Sequence, residues 1–302
     1  MSIRTAVAAL AATVALGVSA LSVQADGGYK FRVVASGLSR PTGIAVGGWK
    51  TVYFTEIPTP GTGGGQNGVS ALDLDSGQVE VLHRGEPEPT NIAVSRDEEI
   101  YWTCKSAGVI LKMDDDGVTT PVLTGLDKPS GISIGRRGTV YFTEIPTPGT
   151  PGSAGGQNSV SSFNGTTKTI VSSGEPEPTD VVVSRDGSLY WTCKTAGVIL
   201  ERHNGQTSVL LGGLYSPTGI ALDRRGENLY FTEVPTPGVA GKDGGANRVS
   251  VLNLGSQRVR VIHSGDPEPT DVAVAPNGNV YWTCSSAGVI VEAKPHRRED
   301  RD

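Results

Sequence analysis

One stretch of sequence decides the architecture of this chain: residues 88–110 read EPTNIAVSRDEEIYWTCKSAGVI and recur with few changes at 177–199 and 268–290. A looser copy of the opening pattern lies between them, as PTGIAV at Pro41, PSGISI at Pro129 and PTGIAL at Pro217. These starting prolines are spaced by about 40 to 50 residues, which is the period of a propeller blade. The chain is therefore predicted to consist of six similar units.

Each unit contains short runs rich in Val, Ile, Tyr and Thr, separated by Gly, Asp and Asn. In the first unit these runs are 43–46, 52–55, 69–74 and 79–82. Runs of this length and composition are typical of β-strands, and no long amphipathic helical pattern occurs. The sequence predicts an all-β, six-bladed β-propeller with four antiparallel strands per blade, built as three double-blade repeats.

The last unit has only three such runs, because the chain reaches its charged tail after 289–292. Residues 30–35, followed by Gly-Leu, resemble the fourth strands predicted at 119–123 and 207–211, which are also followed by Gly-Leu. We expect the N-terminal strand to complete the last blade and close the ring, which removes the free edges of an open sheet.

The second strands carry a recognisable signature, Tyr53-Phe54-Thr55-Glu56 in the first unit and Tyr101-Trp102-Thr103-Cys104 in the second. This pattern resembles the YWTD and NHL repeats of six-bladed propellers over nearly the whole mature chain. The layout is also similar to gluconolactonases, strictosidine synthase-like proteins and streptogramin B lyases. Glu or Cys stands where the YWTD pattern has Asp. The resemblance implies the fold, whereas function differs among these families and has to be argued from the site.

The first residues are typical of a secretory signal peptide, with an early Arg, a long run of Ala, Val and Leu, and small residues around Val23-Gln24-Ala25. A membrane anchor is the alternative, although no basic stop signal follows. We expect a signal peptide at 1–25, the propeller at 26–295 and a charged tail at 296–302. The mature protein would be secreted, extracellular or periplasmic, with no membrane span. A net charge of −5 without a basic stripe argues against a nucleic-acid partner.

A hydroxyl follows the leading proline of every unit, at the expected mouth of the central channel: Thr42, Thr90, Ser130, Thr179, Thr218 and Thr270. This ring could bind a polar ligand or water, or each hydroxyl could cap its own turn. Asn91, Asp180 and Asp271 come one residue later, so side-chain alternation predicts that they face away. The gluconolactonase resemblance implies metal-binding Asn and Asp at the hydroxyl position, where Thr and Ser are poor ligands for divalent cations. No cofactor is predicted, and a divalent cation is the candidate left open.

Carboxylates form a second candidate set. Glu56, Glu144 and Glu233 end second strands, and Glu88, Glu177 and Glu268 precede leading prolines, with Glu86, Glu175 and Asp266 close by. By resemblance to the Asp of YWTD, the first three would bond to the backbone of a neighbouring blade. Alternatively, all of them would form an acidic rim that attracts cations or basic partners.

Two further features are repeated three times. Cys104, Cys193 and Cys284 are too few and too far apart for a disulfide framework or a shared metal, and we expect buried fillers. Loops that begin with Ile-Pro-Thr-Pro-Gly or Val-Pro-Thr-Pro-Gly end at Asn67, Asn158 and Asn247. These loops are predicted to form a collar around the channel mouth, unless duplication has copied an inert loop.

An active site needs one acid, one base and one electrophile, which are different groups. In this chain the same residues recur at equivalent positions of the three double-blade repeats. No histidine is predicted at the channel, and no Ser-His-Asp arrangement can be drawn. We therefore expect no catalytic residue, and a binding or interaction module that takes a small-molecule, glycan or protein ligand at the mouth and its collar. The alternatives are a hydrolase or lyase of the lactonase or streptogramin lyase type at the channel, and a purely structural propeller.

Overall fold

The computed structural model describes residues 28–58, 67–85, 87–146, 157–235 and 246–296. Its strands form six four-stranded antiparallel sheets, which confirms the predicted all-β propeller. The predicted signal peptide lies outside the described residues, and so do Glu86, the middle of each collar loop and most of the tail. Within the described part of the chain, no helix has the length and hydropathy needed to cross a bilayer.

The blades follow one another along the chain. Blade 1 contains β2 (Pro41–Gly47), β3 (Thr51–Glu56), β4 (Gly68–Asp73) and β5 (Val79–Arg84). Blade 2 contains β6 (Pro89–Val94), β7 (Ile100–Cys104), β8 (Val109–Met113) and β9 (Thr119–Leu123). Blade 3 contains β10 (Pro129–Ile134), β11 (Val140–Glu144), β12 (Ser159–Phe163) and β13 (Lys168–Ser173), with a short 3-10 turn at Arg136–Gly138.

The second half of the ring repeats this order. Blade 4 contains β14 (Pro178–Val183), β15 (Leu189–Cys193), β16 (Val198–His203) and β17 (Gln206–Gly212). Blade 5 contains β18 (Pro217–Leu222), β19 (Asn228–Glu233), β20 (Arg248–Asn253) and β21 (Arg258–Ser264). Blade 6 contains β22 (Pro269–Val274), β23 (Val280–Cys284), β24 (Val289–Pro295) and the N-terminal β1 (Tyr29–Ser36).

The N-terminal strand closes the ring as predicted. β1 lies antiparallel to β24, with Tyr29 opposite Pro295 and Val33 opposite Val291. At the far end of this pair, the His296 N–H donates to the Gly28 carbonyl at 2.7 Å. Two distant segments of the sequence therefore build one sheet, and backbone hydrogen bonds hold the first and last parts of the propeller together.

The core consists of six apolar clusters, each shared by two neighbouring blades. The largest fully buried side chains include Trp102, Trp191 and Trp282 in the even blades. The three cysteines, Cys104, Cys193 and Cys284, are free and buried. Burial raises the pKa of the Cys193 thiol to about 12, so it stays protonated and acts as an apolar filler.

The first strands line the centre, and each contacts the first strands of both neighbouring blades. Each first strand has a register shift just after its leading proline, for example between Pro89 and Asn91 in β6 and between Pro178 and Asp180 in β14. Such a bulge rotates the following side chain relative to simple alternation. This local irregularity determines which residues meet on the axis.

Candidate functional site

The hydroxyls at the channel mouth join neighbouring blades. Thr42 Oγ1 lies 2.8 Å from Thr55 Oγ1 and donates to the Pro89 carbonyl of blade 2 at 3.3 Å. The pattern runs round the ring to Thr270, whose Oγ1 donates to the Thr42 carbonyl at 3.1 Å. The expectation that each hydroxyl caps its own turn is therefore wrong, because the next blade supplies a nearby carbonyl.

A cavity of about 370 Å³ opens above this ring. All six mouth hydroxyls line it: Thr42, Thr90, Ser130, Thr179, Thr218 and Thr270. Charged groups at its edge are Arg40, Glu88, Lys105 and Lys194. The structure thus brings the predicted hydroxyls together in one concave polar surface to which every blade contributes.

The residues before the leading prolines share one backbone conformation, and two of them, Arg40 and Glu88, line the cavity. All six, among them Arg40 and Glu88, have left-handed backbone angles, with φ between 46° and 60°. Their backbone carbonyls accept a hydrogen bond from the N–H of the residue that follows the second strand. In blade 2, for example, the Lys105 N–H donates to the Glu88 carbonyl at 3.0 Å. Non-glycine residues in this conformation are strained, and such strain clusters at binding sites and active sites.

Asn91, Asp180 and Asp271 form the floor of the cavity, which corrects the expectation that they face away. The Asn91 Nδ2 donates to Asp180 Oδ1 at 3.0 Å across the centre of the ring. Asp180 and Asp271 are each 4% exposed, and Asn91 is 8% exposed. The alternation argument failed because it assumed regular strands, whereas the bulge after each proline turns these side chains inward.

Glycine occupies the same position in the odd blades and makes room for the floor. A Cβ at Gly131 would lie 2.4 Å from the Asp180 Cα, and a Cβ at Gly219 would lie 2.5 Å from the Asp271 Cα. No side chain fits at such distances from the backbone. The alternation of Gly with Asn or Asp after Pro-Thr or Pro-Ser was visible in the sequence, and this signal could have revealed the floor.

The two floor carboxylates hold their protons more tightly than free carboxyl groups do. Burial raises the pKa of Asp180 to about 7. Burial and the neighbouring Asp180 charge raise the pKa of Asp271 well above its usual value.

The floor does not fit a divalent cation. Its carboxylate oxygens already accept backbone N–H groups: Asp271 Oδ2 from Ile44 and Asp180 Oδ2 from Ile220, at 2.8 and 2.9 Å. Within the described residues, no group of three or more His, Cys, Asp or Glu side chains could hold a metal ion. A cation site needs several oxygens that are free to turn toward the ion.

Chelation should therefore leave the stability unchanged. We expect EDTA, or the addition of calcium to about 1 mM, to shift the melting temperature by less than about 1 °C, because a ligand that binds only the native state must raise it. Differential scanning calorimetry measures this directly. A rise of several degrees with calcium would contradict our assignment of the floor.

The carboxylates at the ends of second strands serve the fold. Glu56 accepts the Ser39 N–H at 2.8 Å, Glu144 accepts the Asp127 N–H at 3.0 Å and Glu233 accepts the Tyr215 N–H at 2.9 Å. Each of these N–H groups belongs to the connection from the preceding blade. These contacts match the backbone bonding expected from the resemblance to YWTD repeats.

Among the described residues, one carboxylate of the predicted acidic rim, Glu88, lines the cavity edge, and Glu86 lies outside the described residues. Of the glutamates before the leading prolines, Glu88 lines the cavity, whereas Glu177 and Glu268 do not. Glu88 is hydrogen-bonded to Ser106 and Glu268 to Ser286, and Lys194 lies 3.9 Å from Glu177. The carboxylates are thus distributed among local partners instead of forming one continuous acidic surface.

The collar asparagines anchor the ends of their loops. Asn158 Nδ2 donates to the Glu175 carbonyl at 2.9 Å, and Asn247 Nδ2 donates to the Asp266 carbonyl at 2.8 Å. In blade 1, the Asn67 carbonyl accepts the Gly85 N–H at 2.9 Å. The rest of each collar lies outside the described residues, so its position over the mouth stays a prediction.

Histidine does not contribute to the cavity. All four histidines fall within the described residues: His83 in β5, His203 at the end of β16, His263 in β21 and His296 after β24. His263 Nδ1 instead lies 2.8 Å from Asp266 Oδ2. The residues that line the cavity therefore include no imidazole base.

No family model matches the chain. Mouse low-density lipoprotein receptor-related protein 5 is 32% identical over 124 residues, which is 38% of this chain and 7% of that protein. Low-density lipoprotein receptor-related protein 1 of Pyricularia oryzae is 26% identical over 291 residues, covering 82% of this chain and 89% of its own length. The chain thus spans a small part of the mouse relative and most of the fungal one.

Solved structures with the same fold include enzymes and a calcium-binding protein. A streptogramin B lyase has a TM-score of 0.62 at 18% identity, covering 89% of this chain and 98% of its own. A gluconolactonase from Xanthomonas campestris has a TM-score of 0.69 at 15% identity, with 89% and 90% covered. The calcium-binding protein regucalcin from Agrobacterium tumefaciens has a TM-score of 0.68 at 13% identity, with 88% and 94% covered. The chain is a six-bladed β-propeller similar in sequence to low-density lipoprotein receptor-related proteins and in fold to lactonases and lyases.

Proposed function

We propose that this chain is a secreted binding module that holds its ligand in the cavity at the channel mouth. The observation that carries the proposal is the construction of this cavity, to which all six blades contribute a hydroxyl and at whose edge lie two strained residues, Arg40 and Glu88. Concave sites with a few convergent polar groups are the usual form of a ligand pocket. The sequence similarity to receptor-related proteins supports a binding role.

The charges at the mouth favour a polar ligand that carries an anionic group. Arg40, Lys105 and Lys194 line the cavity, against Glu88 at the edge and two floor carboxylates whose raised pKa values reduce their negative charge. Cationic side chains that converge on a concave surface attract and orient carboxylates, sulfates or phosphates. An acidic glycan, a small organic acid or an acidic protein loop has this chemistry.

A panel of small acids, acidic oligosaccharides and acidic peptides, screened by thermal shift and then by isothermal titration calorimetry, tests the proposal. For a ligand found in this way, the double variant K105A/K194A should bind at least about tenfold more weakly, since a charge-assisted hydrogen bond contributes about 1.5 to 3 kcal/mol. Lys112→Ala is the matched control, because Lys112 pairs with Glu99 far from the mouth. A complete absence of binding across the panel, or an unchanged affinity of the double variant, would refute the proposal.

A hydrolase or lyase acting at the same cavity is the second candidate. One observation favours it: Asp180 and Asp271 line the cavity and have raised pKa values, and such groups are enriched in active sites. Their oxygens are engaged by backbone N–H groups, which instead supports a structural role. If the protein turns over lactones or streptogramin-type substrates and Asp180→Asn abolishes this activity, the chain is an enzyme. If the substitution leaves the activity unchanged, the activity comes from a contaminating enzyme.

A further inference from the structure

Two grooves on the side of the propeller away from the mouth carry opposite charges. The first lies between blades 1 and 2, has a volume of about 820 Å³ and is lined by five carboxylates: Asp73, Glu80, Glu98, Asp114 and Asp115. None of the described residues that line it is basic. Apolar surface from Tyr53 and Met113 lies between these carboxylates.

The second groove lies between blades 5 and 6, next to the closing strand β1, and has a volume of about 550 Å³. Its charged lining residues are Arg258 and Arg260, and no carboxylate occurs among the described residues that line it. The Arg260 guanidinium lies over the Tyr29 ring, 5.1 Å from its centroid. The adjacent Val259 is 45% exposed.

The two grooves occupy equivalent positions in their blades, as the strand register demonstrates. Glu80 in β5 is paired with Ala71, Arg260 in β21 is paired with Val251, and Thr169 in β13 is paired with Ser162. All three paired residues lie on the third strand of an odd blade. One structural position therefore carries a negative charge, no charge and a positive charge in blades 1, 3 and 5.

A tyrosine lies on the equivalent wall of each groove. Tyr53 and Tyr230 line the two walls. Burial and then the carboxylates Glu98 and Asp115 raise the pKa of Tyr53. This shift agrees with the carboxylates that line the first groove.

The strand that carries the arginines has a free edge in its sheet. β21 is the outermost strand of blade 5, with β20 as its partner in the sheet, so its outer edge has no neighbouring strand. Arg258, Val259 and Arg260 are exposed on this edge strand. An exposed edge strand is a ready template for association with another chain.

We propose that the basic edge strand β21 of one copy docks at the acidic groove between blades 1 and 2 of a second copy, so that the chain self-associates head to tail. Arg258 and Arg260 face the groove carboxylates, and Val259 adds apolar contact beside Tyr53. The two surfaces lie on different blades, so the contact is heterologous and repeats into a ring or an open filament. The channel mouths stay open, because they lie on the opposite side.

Sedimentation velocity at low and high ionic strength tests this proposal on the full chain. We expect concentration-dependent association at about 20 mM salt and dissociation at about 500 mM salt, where the Debye length falls from about 20 Å to about 4 Å. Glu80→Arg and Arg260→Glu should each weaken self-association at least about tenfold, because each replaces an attraction with a repulsion. Thr169→Glu, at the equivalent position of blade 3, is the control and should associate like the parent.

Mixing the two single variants gives the sharpest result. The E80R variant keeps the basic edge strand and the R260E variant keeps an acidic groove, so the mixture should form mixed assemblies although neither variant associates alone. Glu80 and Thr169 are exposed, and the melting temperatures of E80R and T169E should match that of the parent. R260E also loses the contact with Tyr29, so its melting temperature should be somewhat lower. A chain that stays monomeric at low salt, or single variants that associate as well as the parent, would overturn the proposal. Binding of an added arginine-rich peptide by a monomeric chain would assign the groove to another protein instead.

Discussion

A chain that lacks residues 1–36 is expected to lose at least about 5 kcal/mol of unfolding free energy, which is a large fraction of the stability of a typical domain. This deletion removes β1, so β24 loses its antiparallel partner and the sheet of blade 6 is left with three strands. The contacts of Tyr29, which is 6% exposed, and of Phe31 with Trp282 are lost as well. Urea denaturation followed by tryptophan fluorescence measures the effect.

Two controls distinguish the effect of losing strand β1 from the effect of shortening the N-terminus. A chain that starts at Gly28 keeps β1 and should unfold like the parent. A circular permutant that starts at Gly37 and carries 28–36 after His296 on a short turn should also fold, since the His296 N–H already contacts the Gly28 carbonyl. If the deletion variant unfolds at the same urea concentration as the parent, ring closure by β1 does not stabilise the protein.

The stability of the protein is expected to fall as the pH rises from about 5 to about 8, by about 3 kcal/mol from Asp180 alone and by more with Asp271 included. Burial raises the pKa of Asp180 from 3.8 to about 7, and it raises the pKa of Asp271 further with the help of the Asp180 charge. The folded state therefore binds protons more tightly than the unfolded chain. The stabilisation is complete below about pH 4 and is lost as the pH rises through about 7.

The variant D271N isolates this contribution. Its amide can donate to Asp180 as Asn91 does, which leaves a single carboxylate on the floor and removes the repulsion between two buried charges. We expect a pH dependence less than half that of the parent, with some loss at low pH because Ile44 loses its acceptor. The control is Asp116→Asn, which changes the formal charge of the chain by the same amount but lies on an exposed turn. Parallel stability curves for the parent and D271N would contradict the raised pKa of Asp271.

The fold was largely predictable because its signals are local and repeated. The strand signature ending in Thr55-Glu56 or Thr103-Cys104 marks every second strand, and the Gly-Leu sequence after residues 30–35 identified the closing strand. The hydroxyl ring could be placed as well, since each hydroxyl directly follows a leading proline. Its hydrogen bonds to the next blade could not, because they depend on how closely first strands approach one another.

The floor and the grooves were missed for different physical reasons. Asn91, Asp180 and Asp271 were assigned to the wrong side because a β-bulge leaves no simple trace in hydrophobic alternation. Glu80 and Arg260 are ordinary surface charges in the sequence, and their equivalence becomes evident only when strand register aligns blades 1 and 5. Sites that arise from the juxtaposition of distant strands require the three-dimensional arrangement.

The alternation of Gly43, Gly131 and Gly219 with the floor side chains limits how this architecture can grow. Each Asn or Asp on the axis lies against a glycine of the preceding blade, because a Cβ at that glycine would collide with its backbone. A single added blade would place two bulky groups, or two glycines, side by side, producing either a steric collision or an unfilled gap at the hub. Enlargement of such a molecule is therefore feasible only by whole pairs of blades, and an odd-numbered descendant would have to redesign its centre.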